Sequence, residues 1–158
     1  MGRDIFLSLF CDNDIDRLFE IQSDKISARM RQARMIAESP IQVRDWLMSR
    51  SNLQSPTNFC LAIRDVDTHE LYGYVTLKIL GSDSTIGEIG IVLHFLKREG
   101  LGSLALNLLE SFSKKQFSYQ KLVAKISLEN SAGKAFFKKN GYIKISQTYE
   151  HILFQKDI

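Results

Sequence analysis

The segment from Gly87 to Ser103, Gly-Glu-Ile-Gly-Ile-Val-Leu-His-Phe-Leu-Lys-Arg-Glu-Gly-Leu-Gly-Ser, constrains the architecture more than any other part of the chain. A short apolar run passes into a turn holding Gly100 and Gly102. An amphipathic helix follows at once, with Leu101, Leu104, Ala105, Leu108, Leu109 and Phe112 at helical spacing. Strand, glycine turn and helix in that order form a cradle for an anion. Glycines spaced Gly-x-Gly let the backbone approach closely, and the first amides of the helix lack intrahelical partners and sit at the positive end of its dipole. The same layout also closes an ordinary strand-to-helix connection, so a second segment is needed to choose between the two.

That segment is Asn130-Ser131-Ala132-Gly133-Lys134-Ala135-Phe136-Phe137-Lys138-Lys139-Asn140-Gly141-Tyr142. Asn130 stands where a helix cap is wanted, Asn140-Gly141 stops the helix, and a β-rich tail follows. The order and spacing of the two segments resemble the GNAT family of acetyl-CoA-dependent N-acetyltransferases, over nearly the whole chain. The family's Gln/Arg-x-x-Gly-x-Gly/Ala is met by Lys97 through Gly102, and its Asn-led helix ending in Gly-Phe by Asn130 through Tyr142. The resemblance implies acetyl-CoA as cosubstrate and no metal. It also implies an α/β fold: a mixed, largely antiparallel twisted sheet with helices on both faces, in the order β-α-α-β-β-β-α-β-α-β-β, its fourth and fifth strands splayed to admit the pantetheine arm.

At 158 residues, 44% apolar and 25% charged, the chain has the size and make-up of one globular domain, 1–158. Within it, residues 1–57 read as the first strand and the acceptor-side helices, and 58–158 as the sheet and the acetyl-CoA-binding core. No apolar run approaches the ~20 residues of a membrane span. Ile5 to Phe10 is short and followed by Asp12, Asp14 and Asp16, unlike a secretory leader. The expectation is a cytoplasmic protein without a membrane partner, monomeric or homodimeric. Cys11 and Cys60, far apart in unlike contexts, argue against a disulfide framework or a zinc site. The net charge of +3 comes from the second half, where residues 81–158 carry 11 Lys and Arg against 7 Asp and Glu. Such a half suits a phosphate-rich cofactor. Nucleic acid is set aside, because aromatic residues are not interleaved with the basic ones on a predicted sheet face.

Along the chain, Ile5 to Phe10 reads as a strand, and Asp12-Asn13-Asp14 supplies caps for a helix presenting Ile15, Leu18 and Phe19. Residues 24 to 38 look helical. Ser39-Pro40-Ile41-Gln42 then starts a helix burying Val43, Trp46 and Leu47, with Ser at the cap, Pro in the first position and Gln three after the cap. Strands are expected at Phe59 to Arg64, Leu71 to Leu80, Thr85 to Leu93 and Leu122 to Ser127. Tyr142 to Ser146 and Tyr149 to Phe154 should pair across Gln147-Thr148. Gly90, inside the fourth strand, suggests a bulge or a close backbone approach.

The resemblance places a pyrophosphate on the amides of Lys97, Arg98, Glu99, Gly100, Leu101, Gly102 and Ser103, and pairs the backbone of Ile91, Val92 and Leu93 with the pantetheine amides. Lys97 in place of Gln/Arg keeps a donor and loses its planar geometry, and Glu99 brings a negative charge that Arg98 offsets. Asn130 caps its helix and, on the resemblance, also holds the cofactor arm or a water. Phe137, seven after the Asn, stands where many members carry the Tyr that protonates the leaving thiolate, and Phe has no proton to give. Lys134, Lys138 and Lys139 fall near the nucleotide end, with Lys138 chosen as the phosphate contact over the alternative of an exposed helix charge. Alternation puts Glu88, Gly90 and Val92 on one face and Ile89, Ile91 and Leu93 on the other. Glu88 is therefore a candidate general base, directly or through water, or else a paired strand carboxylate. His94, at the strand end, is a second candidate, since imidazole titrates near neutrality.

Acceptor specificity is assigned to the N-terminal helices, where Arg29, Arg31 and Arg34 cluster with Met30 and Met35. Arg favours phosphate or carboxylate, which points to a small anionic amine such as a nucleotide-linked amino sugar; a solvated basic face is the alternative. The expected reaction is acetyl transfer to a primary amine by direct attack in a ternary complex. A protein N-terminal or antibiotic amine is the rival acceptor, and a non-catalytic acyl-CoA-binding domain, motivated by Phe137, is the rival function.

Overall fold

The computed structural model describes residues 4–25, 36–49, 58–80, 85–94 and 100–158. Its elements are β1 (Ile5–Ser8), a 3-10 turn (Asp12–Asp14), α1 (Ile15–Gln22), α2 (Pro40–Met48), β2 (Phe59–Asp65), β3 (Leu71–Ile79), β4 (Ile86–Leu93), α3 (Leu101–Phe117), β5 (Lys121–Ser127), α4 (Ser131–Lys139), β6 (Ile143–Gln147) and β7 (His151–Asp157). The strands form a seven-stranded sheet in the order β1-β2-β3-β4-β5-β7-β6, antiparallel throughout except for the β4–β5 pair. This is the expected mixed, largely antiparallel α/β sandwich.

Strand alternation sends side chains into two cores, one on each face of the sheet. Phe59, Leu61 and Ile63 of β2 and Ile89 of β4 join α3, through Leu101, Ala105, Leu106 and Leu109, and α4, through Phe137. Cys60 and Ala62 of β2, Tyr74 of β3 and Val92 of β4 meet Ile15, Leu18 and Ile21 of α1 and Val43 and Leu47 of α2. The sheet thus has an α3/α4 face and an α1/α2 face, and β2 is buried on both.

Polar side chains fasten the layers. Asp14 is not an open cap; it is buried, accepting from the Cys11 amide at 2.8 Å and bound two-fold by Arg64 of β2, whose Nε also donates to Ser8 Oγ at 2.7 Å. Burial works to raise the Asp14 pKa, but the Arg64 guanidinium and the Cys11 amide outweigh it and hold the carboxyl below its usual range. On the other face, Glu110 of α3 accepts from Tyr142 Oη at 3.2 Å and from Lys156 Nζ of β7 at 3.1 Å. Burial, reinforced by the Glu110 charge, pushes the Tyr142 hydroxyl well above its usual pKa.

The start of α2 is as read: Ser39 Oγ accepts from the Gln42 amide, with Pro40 at the first helical position. Four expectations need correction. On α3 the buried row is Leu101, Ala105, Leu106, Leu109 and Ser113, while Leu104 (40% exposed) and Leu108 (38%) face outward. With leucine at so many positions, spacing alone did not choose the face. Tyr149 is not in a strand; it is 89% exposed in a turn where Thr148 N donates to the His151 carbonyl and Thr148 Oγ1 accepts from the His151 amide. β1 ends at Ser8 rather than Phe10. The β3–β4 ladder runs without a shift past Thr76↔Gly90, so Gly90 makes no bulge. A Cβ there would instead lie 2.6 Å from Thr76 Oγ1.

Candidate active site

β4 and β5 pair in parallel from Ile86↔Lys121 to Ile89↔Ala124, and there the pairing stops. β4 continues to Leu93, paired only with β3, and β5 continues to Ser127, paired with β7. The backbone edge of Gly90 to Leu93 that faces β5 therefore has no strand partner among the described residues, and a gap opens in the middle of the sheet. An extended chain carrying amides fits that edge, because unpaired strand groups template exactly one kind of partner, another extended polar backbone. Of the three residues predicted to serve pantetheine, Ile91 and Leu93 turn their backbone groups to it, while Val92, in phase with His94 and its bond to the Tyr72 carbonyl, turns its own to β3.

At the open end of the gap α3 begins. Gly100 sits at its N-cap with φ of +75°, a left-handed conformation in which a side chain is strained, and a Cβ built there meets nothing within 4 Å. Among the described residues no side chain caps the helix and its first turn holds no acidic residue, so the amides of Leu101, Gly102 and Ser103, which have no intrahelical partner, stand at the positive end of a 17-residue helix. This is the part of the predicted cradle that the structure describes; Lys97, Arg98 and Glu99 lie outside the described residues, as do Arg29, Arg31 and Arg34 with Met30 and Met35. Gly102 serves a different end from Gly100. Its missing Cβ would lie 2.9 Å from the Phe136 ring, so it lets α4 close against the start of α3.

α4 is placed by Asn130, whose Oδ1 accepts from the Gly133 amide at 2.9 Å, while Lys134 Nζ donates to the Leu128 carbonyl at 2.9 Å. Lys134 thus braces the loop before the helix, and Lys138 and Lys139 are exposed in its last turn. Phe137 is buried, its ring edge-on to Phe136 and Tyr142 at 5.1 Å and stacked on Phe154 at 6.4 Å. Its aromatic body fills the core beside the gap.

The observed faces agree with the predicted alternation. Ile89, Ile91 and Leu93 pack toward α3, and Val92 packs toward α1 and α2. Glu88 lies on the α1/α2 face and is tied to Lys78 of β3, Oε2 to Nζ, at 2.8 Å. His94 donates its amide to the Tyr72 carbonyl at 2.9 Å and holds Nδ1 3.7 Å from Asp24 Oδ2, beyond the end of α1. Glu88 and His94 therefore stand on one side of the gap, Asn130 and the rim of β5 on the other. The sequence reading passed over that far rim: Ser127 of β5 and, directly opposite it, His151 of β7. Only the β5–β7 register reveals them.

A sequence profile of the acetyltransferase (GNAT) domain family matches residues 4–143. No curated protein matches the chain. Among solved structures, a domain from Methanocaldococcus jannaschii DSM 2661 superposes with a TM-score of 0.80 at 20% identity, covering 99% of this chain and 100% of that one. Spermidine N-acetyltransferase from Vibrio cholerae, in complex with CoA and spermine, gives 0.81 at 12% identity over 97% and 95%. A nucleotide-linked sugar GNAT in its apo form gives 0.80 at 15% over 99% and 89%. At these identities the likeness is one of fold.

Proposed function

Since this chain belongs to the acetyltransferase (GNAT) domain family, we propose that it transfers the acetyl group of acetyl-CoA to a primary amine by direct attack in a ternary complex. One observation carries the reading: the β4–β5 pairing ends at Ile89↔Ala124, and the unpaired edge it leaves runs to Leu93, next to the start of α3, where no described side chain caps the helix and a Cβ on Gly100 would meet nothing within 4 Å. The unpaired edge at Ile91 and Leu93 would hold the pantetheine amides, and the amides from Lys97 to Ser103 the pyrophosphate. Lys138 would meet a nucleotide-end phosphate. Held there, the thioester would be presented to an incoming amine, and orientation would supply much of the rate.

We assign a small anionic amine, such as a nucleotide-linked amino sugar, as acceptor, with Arg29, Arg31 and Arg34 as its contacts. One fold neighbour is a nucleotide-linked sugar GNAT, which agrees with this; others act on spermidine or an aminoglycoside, so amines of those kinds belong in the test. Two unbridged thiols, exposed Cys11 and buried Cys60, support a cytoplasmic setting. Phe137 favours one rival, an acyl-CoA-binding domain without turnover.

The test joins two measurements on the full chain. Calorimetric titration with acetyl-CoA should show saturable binding in the micromolar range, around −8 kcal/mol. Thiol release should then appear with at least one member of a panel of amino-sugar nucleotides, polyamines, aminoglycosides and N-terminal peptides. Binding without turnover on any amine supports the rival; no binding refutes the proposal.

A further inference from the structure

Two buried side-chain polar atoms have no hydrogen-bond partner among the described residues: Tyr119 Oη and His151 Nδ1. A buried polar group left unpaired is costly and calls for an explanation at its own position. Tyr119 is enclosed by Phe117 and the edge of Gly87, deep in the α3 face. His151 stands elsewhere. It is the first residue of β7, opposite Ser127, the last of β5.

Alternation fixes which way both point. Ile152 and Phe154 of β7, and Leu122 and Ala124 of β5, face the α3 core, so His151 and Ser127 face the α1/α2 side. Carried forward, the parallel register Ile89↔Ala124 sets Ser127 level with Val92, which faces the same side. His151 therefore stands one strand behind the β5 rim of the gap, beside Ser127 and on the same face of the sheet as Val92. Of the two candidate bases read from the sequence, the Glu88 carboxylate is tied to Lys78, and His94 turns Nδ1 toward Asp24, which makes His94 the rival that the experiment must separate. The family profile ends at residue 143, so His151 lies beyond it.

We propose that His151 is the proton acceptor for the incoming amine, an inference that rests on the acetyl-transfer reading above. The neutral imidazole takes one proton from the substrate ammonium and later releases it to water. The freed amine lone pair forms the C–N bond at the thioester carbonyl, the C–S bond breaks, and the departing thiolate takes the second proton from the acceptor nitrogen. That last step needs no hydroxyl at position 137. Among the described residues, the ionisable groups on the elements next to His151 are Tyr149 and Glu150 in the β6–β7 turn and Lys125 and Glu129 along and after β5, with His94 and Asp24 across the gap.

The experiment is steady-state kinetics of the full chain across pH, with whichever panel amine it turns over fastest. His151→Gln should lower kcat by about 100-fold or more, leave the KM for acetyl-CoA unchanged, and abolish the acid-side limb of the kcat/KM profile. His94→Gln should keep that limb. His151→Ala should regain part of its activity on addition of imidazole, which a purely structural role would not allow. Wild-type kcat with an intact acid limb in His151→Gln overturns this inference alone. A chain that acetylates no amine of the panel overturns the acetyl-transfer reading and this inference with it.

Discussion

At Asp65 one carboxylate closes a strand and is itself clamped. Tyr72 Oη donates to Oδ2 at 2.6 Å, and the amides of Asp67 and Thr68 donate to Oδ1 at 2.8 Å each. The Tyr72 hydroxyl, then these amides, hold the Asp65 pKa down at about 2. A depressed carboxylate stabilises the fold above its unfolded value of 3.8 and loses that contribution as pH falls through about 2. Tyr72→Phe should therefore raise the Asp65 titration midpoint toward 3.8, followed by carboxyl NMR, and the Tm difference between variant and parent should shrink as pH drops from 6 toward 2. An unmoved midpoint would show that the turn amides alone do the holding. Residue-scale chemistry of this kind was only partly legible in the sequence. Asn130 as a cap and the missing hydroxyl at Phe137 could be read directly. The Lys78–Glu88 pair, the burial of Asp14 and the placing of His151 opposite Ser127 follow from strand register, which no local pattern encodes.

Among the elements, α3 shows how one motif can hold two mechanisms. Gly100 and Gly102 read alike as a Gly-x-Gly cradle, yet Gly100 answers to a positive φ and open space, and Gly102 to the Phe136 ring. Gly102→Ala should then destabilise the chain by about 1–3 kcal/mol through overpacking. Adding Phe136→Leu should recover most of that loss, read as midpoints of chemical unfolding. Independent, additive losses would mean that the ring is not what confines position 102. The strands and helices were legible wherever a cap or an alternation was distinctive, as at Ser39-Pro40. They were misread where composition was uniform, as along the leucines of α3. Tyr149 extended a strand-like run whose true end is set by the Thr148 hydroxyl.

Across the whole molecule the sheet divides its labour. One face, closed by α3 and α4, holds the aromatic core and the helix start that would bind pyrophosphate. The other, covered by α1 and α2, carries Val92 and, by alternation, Glu88 and His151. The two faces communicate where β4 and β5 part, and the family's sequence motifs sit on either bank of that opening. Acetyl-CoA is proposed to lie in this gap. Hydrogen exchange of the full chain with and without saturating acetyl-CoA tests it directly, because the Ile91 and Leu93 amides face away from β3 without a strand partner among the described residues, and the first amides of α3 lack intrahelical partners. The prediction is strong new protection at Ile91, Leu93 and Gly100–Ser103, with the α1/α2 core unchanged. Binding that leaves both segments exchanging at their free rates would contradict the account.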